Sequence, residues 1–381
     1  MRFLVFGLLS FSVRKRHTSS LKKIFKTASD RQFLVLTVVL TILGILSVAN
    51  ASAPQAIQIF ADPYFFAKQQ VIWTLIGLTA MVVARFIPYQ YWRKMAFIIF
   101  MVNIGLLFLV LIPGFGSRLL GARRWISIGP LTLQPSEFVK LSLAMLIARL
   151  VDDKFNPWSI LGVVGGTALL IMLQPDLGTT IVVVTIGFAQ LFITGIPYRI
   201  FLTSGGIGVA ATAILILLSD YRRARLITFL ESATDPLGTS YHLRQILIAL
   251  GSGGLFGVGI GQSRQKHLFL PETATDSVFA VIAEEIGFVG ATIVVALLVF
   301  FVLKAFKIAR NAPDRYSQLL ASGIAVWIGA QMFLNIASMV ALTPLTGIPL
   351  PFFSYGGSSL TMMLLGIGIL LNISSYEKKG R

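Results

Sequence analysis

Long apolar runs, broken by short charged or Pro/Gly-rich stretches, set the rhythm of this chain. A helix crossing a membrane needs about 20 apolar residues, because 1.5 Å per residue must cover about 30 Å of hydrocarbon. Runs of that kind cover Phe33–Ala49, Gln69–Ile87, Met95–Ile112, Glu137–Leu150, Trp158–Leu173, Leu177–Thr194, Ile200–Leu218 and Ala283–Leu303. The uncharged region from Tyr316 to Tyr376 is too long for one helix. Pro344, Pro349, Pro351, Gly356 and Gly357 divide it into two spans, near Gln318–Leu342 and Ser358–Ile373. The pattern predicts about ten spans in an all-α polytopic membrane protein. A large extracytoplasmic loop falls between the seventh and the eighth.

Gln245–Ser263 competes for an eleventh place. It is uncharged and long enough, but Gly251, Gly253, Gly254, Gly257, Gly259 and Gly261 lie inside it. Each glycine costs a helix up to about 1 kcal/mol. The stretch is therefore expected outside the bilayer core, as an interfacial or re-entrant piece.

Composition agrees with the pattern. Of 381 residues, 56% are hydrophobic and 12% charged, a balance no soluble fold can bury. Cysteine is absent, which excludes a disulfide framework and a thiolate metal site. The net charge of +17 would suggest nucleic acid in a soluble protein, but no nucleic-acid motif is present, and the positive-inside rule explains much of it. With both termini cytoplasmic, about two thirds of the Lys and Arg fall on inner segments, as that rule requires. The basic tail does not read as a cleaved signal, because Arg14, Lys15 and Arg16 follow the apolar stretch Phe3–Val13 instead of preceding it. The predicted organisation is a cytoplasmic tail over 1–32, a transmembrane domain over 33–376 with its large loop at 219–282, and a cytoplasmic end at 377–381.

The outer minority of basic residues is informative. Arg118, Arg123, Arg124 and Lys140 gather in the third-to-fourth connection. Arg222, Arg223, Arg225, Arg244, Arg264 and Lys266 gather in the long loop. Guanidinium groups fork onto two phosphate oxygens at once, so an anionic partner such as a pyrophosphate-linked lipid would account for them. Salt bridges with Asp220, Glu231 and Asp235, or contacts to phospholipid heads, account for them equally.

Carboxylates are costly in hydrocarbon, so acids at the mouth of a span suggest function. Lys266–Gly290 holds Glu272, Asp276, Glu284 and Glu285. Continuing the helix back to Asp276 puts Ala280, Ala283, Gly287 and Gly290 on a small-residue stripe that another helix could approach. In that phase Glu284 lies about 80° from Asp276, and Glu285 about 180° away, on a packing face. Asp276 beside a low-dielectric wall suits a general base. Capping of the helix by Thr275 or Asp276 is the structural alternative. In Gly121–Leu141, Glu137 and Lys140 are three residues apart and can pair on one helix face, either for insertion or for substrate. Pro135 marks the helix start there, with Ser136 as the expected cap. Asp176, in Gln174–Gly178, is expected to cap the next helix. His17, His242 and His267 are too scattered for a metal site.

Taken together, GARRWISIGPLTLQPSEFVK, QPDLGT, LPETATDSVFAVIAEEIGFVG and TGIPLPFFSYGGSSL resemble, in order and spacing, the SEDS family of shape, elongation, division and sporulation proteins. Its members include FtsW and RodA, and the resemblance runs from about Arg31 onward. It implies peptidoglycan glycosyltransferase activity, with Asp276 matching the family's catalytic base. Glu137, Lys140 and Arg124-Trp125 match its other polar elements. Ala274 stands where members commonly carry His, which argues against an imidazole at this spot.

The expected reaction is polymerisation of lipid II on the outer face of the bacterial cytoplasmic membrane. Asp276 would act as base, with Arg124, Glu137, Lys140, Arg244, Lys266 and Glu284 around the substrate. No cofactor is required by the sequence; a divalent cation such as Mg2+ bridging pyrophosphate and a carboxylate would suit the chemistry. The resemblance also implies a class B penicillin-binding transpeptidase as partner, within a division or elongation assembly. The basic extension and PFFSYGGSSL lean the reading towards FtsW and division. A lipid II flippase and a non-catalytic scaffold are the rivals. The flippase needs polar groups through the membrane depth, and the scaffold would tolerate loss of Asp276, Glu137 and Lys140 together.

Overall fold

The computed structural model describes residues 28–119, 122–128, 131–217, 223, 227, 241–267 and 269–376. Most of the expected basic tail, the end at 377–381 and, in the long loop, Asp220, Arg222, Arg225, Glu231 and Asp235 lie outside the described residues.

Ten apolar helices form where the hydrophobic runs place them. They are α1 (Ala28–Phe60), α2 (Phe65–Phe86), α3 (Tyr89–Leu111), α4 (Pro135–Asp152), α5 (Pro157–Leu173), α6 (Leu177–Ile193) and α7 (Tyr198–Leu217), then α9 (Val278–Arg310), α10 (Arg315–Met339) and α11 (Gly357–Ser374). Six of them are long and apolar enough to cross a membrane by length and composition, and α5, α6 and α7 are shorter apolar helices. Together they make an all-α polytopic membrane protein.

Two connections carry structure of their own. Between α3 and α4 a small antiparallel sheet forms from β1 (Ser117–Leu119), β2 (Ala122–Ile128) and β3 (Leu131–Leu133), with β2 in the middle. Trp125 pairs with Ser117 and Ile126 with Leu133. From the sequence the stretch is only a connection: β1 and β3 are three residues long, too short for an alternating pattern, and ARRWISI in β2 does not alternate strictly. In the long loop, α8 (Tyr241–Ser252) is an amphipathic helix that buries Leu243, Ile246 and Ala249 and packs on α9.

Burial divides the helices into a centre and a rim. The most apolar stretches of α10 and α11 are 67% and 83% buried, against 28% for those of α2, α3 and α9. Exposed Val, Ile, Leu and Phe cover the rim, as expected where the solvent is lipid. The most extensive helix packing among the described residues is α2 on α11. Gly368 lies so near the Met81 carbonyl that a Cβ there would overlap it, which is how small residues let helices approach in membranes.

Helix α9 is not continuous. At Gly287 the backbone turns to φ 69°, ψ −175°, a conformation side chains resist. The orphaned main-chain groups find partners in the glycine-rich turn after α8. Val258 N donates to Glu284 O at 3.0 Å and Gly259 N to Glu285 O at 3.0 Å, while Phe288 N and Val289 N donate to Gly254 O and Leu255 O at 2.9 and 3.1 Å. Cβ atoms on Gly257 or Gly287 would overlap the opposite backbone, so the approach needs glycine on both sides. This corrects the small-residue stripe: a loop, not another helix, comes close at Gly287.

Candidate functional site

Asp276 lies in the turns just before α9, half-buried, with its main chain pinned from several directions. Asn335 of α10 donates from Nδ2 to the Asp276 carbonyl at 2.9 Å and to the Ile348 carbonyl at 2.8 Å. Tyr355 N donates to the Ala274 carbonyl at 2.7 Å. Burial holds the Tyr355 phenol above its ordinary pKa. From α8, His242 Nε2 and the Ser277 hydroxyl share a hydrogen bond of 2.8 Å. Gly347, at φ +69°, lies close enough that a Cβ there would touch the Asp276 carboxylate.

The N-cap of α9 is Ser277, whose side chain makes no capping bond. Asp276 is therefore not the N-cap, and Thr275 Oγ1 donates to its Oδ1 at 3.4 Å. Because Asp276 precedes the helix, the 80° relation to Glu284 does not hold. Glu284, buried, instead accepts from the Ser263 hydroxyl and from Arg264 N and Gln265 N at 3.1 and 3.3 Å, bracing the loop.

Glu285 is more than a packing residue. It accepts from Lys266 Nζ at 2.8 Å and from Asn50 Nδ2 of α1. Lys266 Nζ also reaches Asn50 Oδ1 and the Gly261 carbonyl, both at 2.8 Å, and the residue is 5% exposed. Its ammonium thus faces protein partners. Arg244 is exposed on α8.

The other expected cations are similarly engaged. Arg124, on β2, donates from Nε to the Gln174 carbonyl at 2.8 Å and from Nη2 to the Pro175 carbonyl, holding the turn before α6. Asp176 caps α6 as expected, accepting from Thr179 N at 3.0 Å and Thr179 Oγ1 at 2.9 Å. Glu137 and Lys140 do meet across one turn of α4, at 2.7 Å, and Lys140 is 1% exposed. Lys140 Nζ also donates to Gln331 Oε1 at 2.8 Å and lies 5.3 Å from the Trp327 ring. The cap of α4 is Gln134, with Pro135 at the first helical position, where its missing N–H costs nothing; Ser136 is not the cap.

Gln331 and Asn335 connect these parts. They sit one turn apart on α10. Gln331 Nε2 donates to the Pro349 carbonyl at 3.0 Å and to Ser359 Oγ at 3.2 Å, and Asn335 holds Ile348 and Asp276. The buried lysine pair and the Asp276 turn therefore hang on one helix face. Sequence reasoning passed over Gln331, Asn335 and Asn50 and weighed His242 only as a metal ligand. The available signal was two uncharged polar residues four apart inside an apolar span. Among the described residues no group of three or more His, Cys, Asp and Glu gathers that would cage a metal.

A polytopic bundle of apolar helices, with the main chain of a half-buried acid held by α10, defines a membrane-embedded protein. The chain is 40% identical over 363 residues to the stage V sporulation protein E of Bacillus subtilis, covering 93% of this chain and 99% of that one. It is 38% identical over 369 residues to the probable peptidoglycan glycosyltransferase FtsW of Trichlorobacter lovleyi, covering 94% and 96%. A solved structure described as structural coordination of polymerization and crosslinking by a peptidoglycan synthase complex superposes with TM-score 0.74 at 29% identity, covering 92% of this chain and 98% of the other. The model of the FtsW/RodA/SpoVE family of cell cycle proteins matches residues 30–379, and the chain belongs to that family. It is a multi-pass membrane protein.

Proposed function

We propose that the chain is a peptidoglycan glycosyltransferase that polymerises lipid II in cell division or elongation. The observation that carries the reading is the treatment of Asp276. Its main chain is fixed from α10 and its segment from the 340–356 loop and α8, while the residue itself is only half-buried and Ser277, not Asp276, is the N-cap of the helix that follows. A general base needs a fixed position of that kind.

In the reaction, the acceptor GlcNAc 4-hydroxyl gives its proton to Asp276 as its oxygen bonds to C1 of the donor MurNAc. The C1–O bond to undecaprenyl pyrophosphate breaks, and the pyrophosphate carries away the negative charge. Arg244, exposed on α8, would meet that anion; Arg124 holds the turn before α6. Glu137, Lys140, Lys266 and Glu284 act behind the substrate surface, holding helices and loop in register. No step runs through a metal, and a divalent ion such as Mg2+ would enter as counter-ion of the pyrophosphate. The protein works in the bacterial cytoplasmic membrane with both termini cytoplasmic. Its partner is a class B penicillin-binding transpeptidase, alongside other divisome or elongasome membrane proteins.

The test is lipid II polymerisation by the purified protein with its transpeptidase. Asp276→Asn should lower the rate at least about 100-fold, the scale of a lost general base. A rate equal to wild type would end the base assignment.

A further inference from the structure

We propose that His242 is a positioning residue for Asp276, acting through Ser277; this rests on the reading of Asp276 given above. Ser277 is fully buried and begins α9, yet its hydroxyl makes no cap bond to the helix. It faces the His242 imidazole instead, at 2.8 Å. A serine at an N-cap ordinarily accepts from the second or third helical N–H. Here that bond is replaced by one to a different element.

The geometry explains the exchange. Two holds from other elements act on carbonyls, Tyr355 N of the 340–356 loop on Ala274 and Asn335 Nδ2 of α10 on Asp276. Two points leave a turn free to pivot about the line that joins them. His242 adds a point from a third element, α8, whose Leu243, Ile246 and Ala249 are buried. The weld between the turn after α8 and α9 at Glu284–Val289 fixes the far end of that helix. The imidazole is thus a fixed point in space, and Ser277, one residue beyond Asp276, is tied to it. Loss of the tie leaves substrate binding in place but lets the carboxylate wander, and a displacement of about 1 Å can cost up to about 100-fold in rate.

The experiment measures lipid II polymerisation by full-length protein with its transpeptidase, for His242→Ala, His242→Gln, Ser277→Ala and the double alanine variant. His242→Ala and Ser277→Ala should each lower kcat about tenfold with KM within about twofold of wild type. The double variant should be no worse than either single one, because both remove one coupling. His242→Gln, whose amide can donate and accept at similar reach, should return kcat to within about threefold of wild type. An unchanged kcat in His242→Ala, additive losses, or a glutamine variant no better than alanine would overturn the proposal. Should His242→Ala fail to fold, Ser277→Ala against His242→Gln decides alone: a loss in the first with activity kept in the second supports the tie. Asp276→Asn serves as reference. If it is inactive while His242→Ala is unimpaired, only the positioning role falls; if it is fully active, the reading of Asp276 falls first.

Discussion

Lys140 with Glu137 and Lys266 with Glu285 are nearly the same pair by distance and burial, 2.7 and 2.8 Å with every side chain at most 6% exposed. They do different work. The first pair lies within one turn of α4 and is met by Gln331 and Trp327 of α10, so it neutralises itself and binds one neighbouring helix. The second joins a loop to α9 and, through Asn50, to α1. One pair lets a charged helix sit in the bundle; the other staples a loop onto it. A buried ion pair contributes little net stability compared with apolar packing, whereas removing one partner leaves a charge stranded.

The comparison breaks most sharply at Lys140. Lys140→Met strands Glu137 in the centre of the bundle and should cost about 3–5 kcal/mol, read as a large drop in the thermal midpoint in detergent. Adding Glu137→Gln should recover most of it. A midpoint unmoved by the single change would show that the pair is not buried in the working protein.

Lys266→Met should cost less, about 3 kcal/mol, because Glu285 keeps its bond from Asn50. Its signature is local: faster hydrogen exchange at Phe288 and Val289, whose amides bond the loop, with α4 and α10 unchanged. Exchange that rises evenly across the bundle would erase the distinction between the two pairs. Smaller still is Gly287→Ala, which places a side chain at φ 69° and should cost about 1–3 kcal/mol. Protection of the same two amides should fall, with both lysine pairs kept; unchanged protection would mean that the turn can retreat without loss.

The same two pairs show where the sequence was legible. Glu137 and Lys140 could be paired on paper because helical geometry alone brings positions three apart together. Lys266 and Glu285 could not, since the partner choice depends on how the loop folds back, and the period that demoted Glu285 assumed an unbroken helix. Gly287 ended that assumption, and a lone glycine in an apolar run gives no warning that it marks a break. Apolar runs located all ten helices, because length and hydrophobicity are properties of each segment by itself. Asp276 stood out by its acid in apolar company. Its holders, Asn335, Tyr355 and His242, come from distant parts of the chain and carry no charge that would draw notice.

The break at Gly287 also sets a depth. From Phe288 to Arg310, α9 rises about 35 Å at 1.5 Å per residue, enough to cross the roughly 30 Å hydrocarbon layer unaided. The first stretch, from Val278, is therefore surplus to the crossing. Bound to the loop by its backbone, by Glu284 and by Glu285, it belongs mechanically to that loop. Asp276, just before that stretch, then moves with the loop and not with the membrane-crossing part of α9.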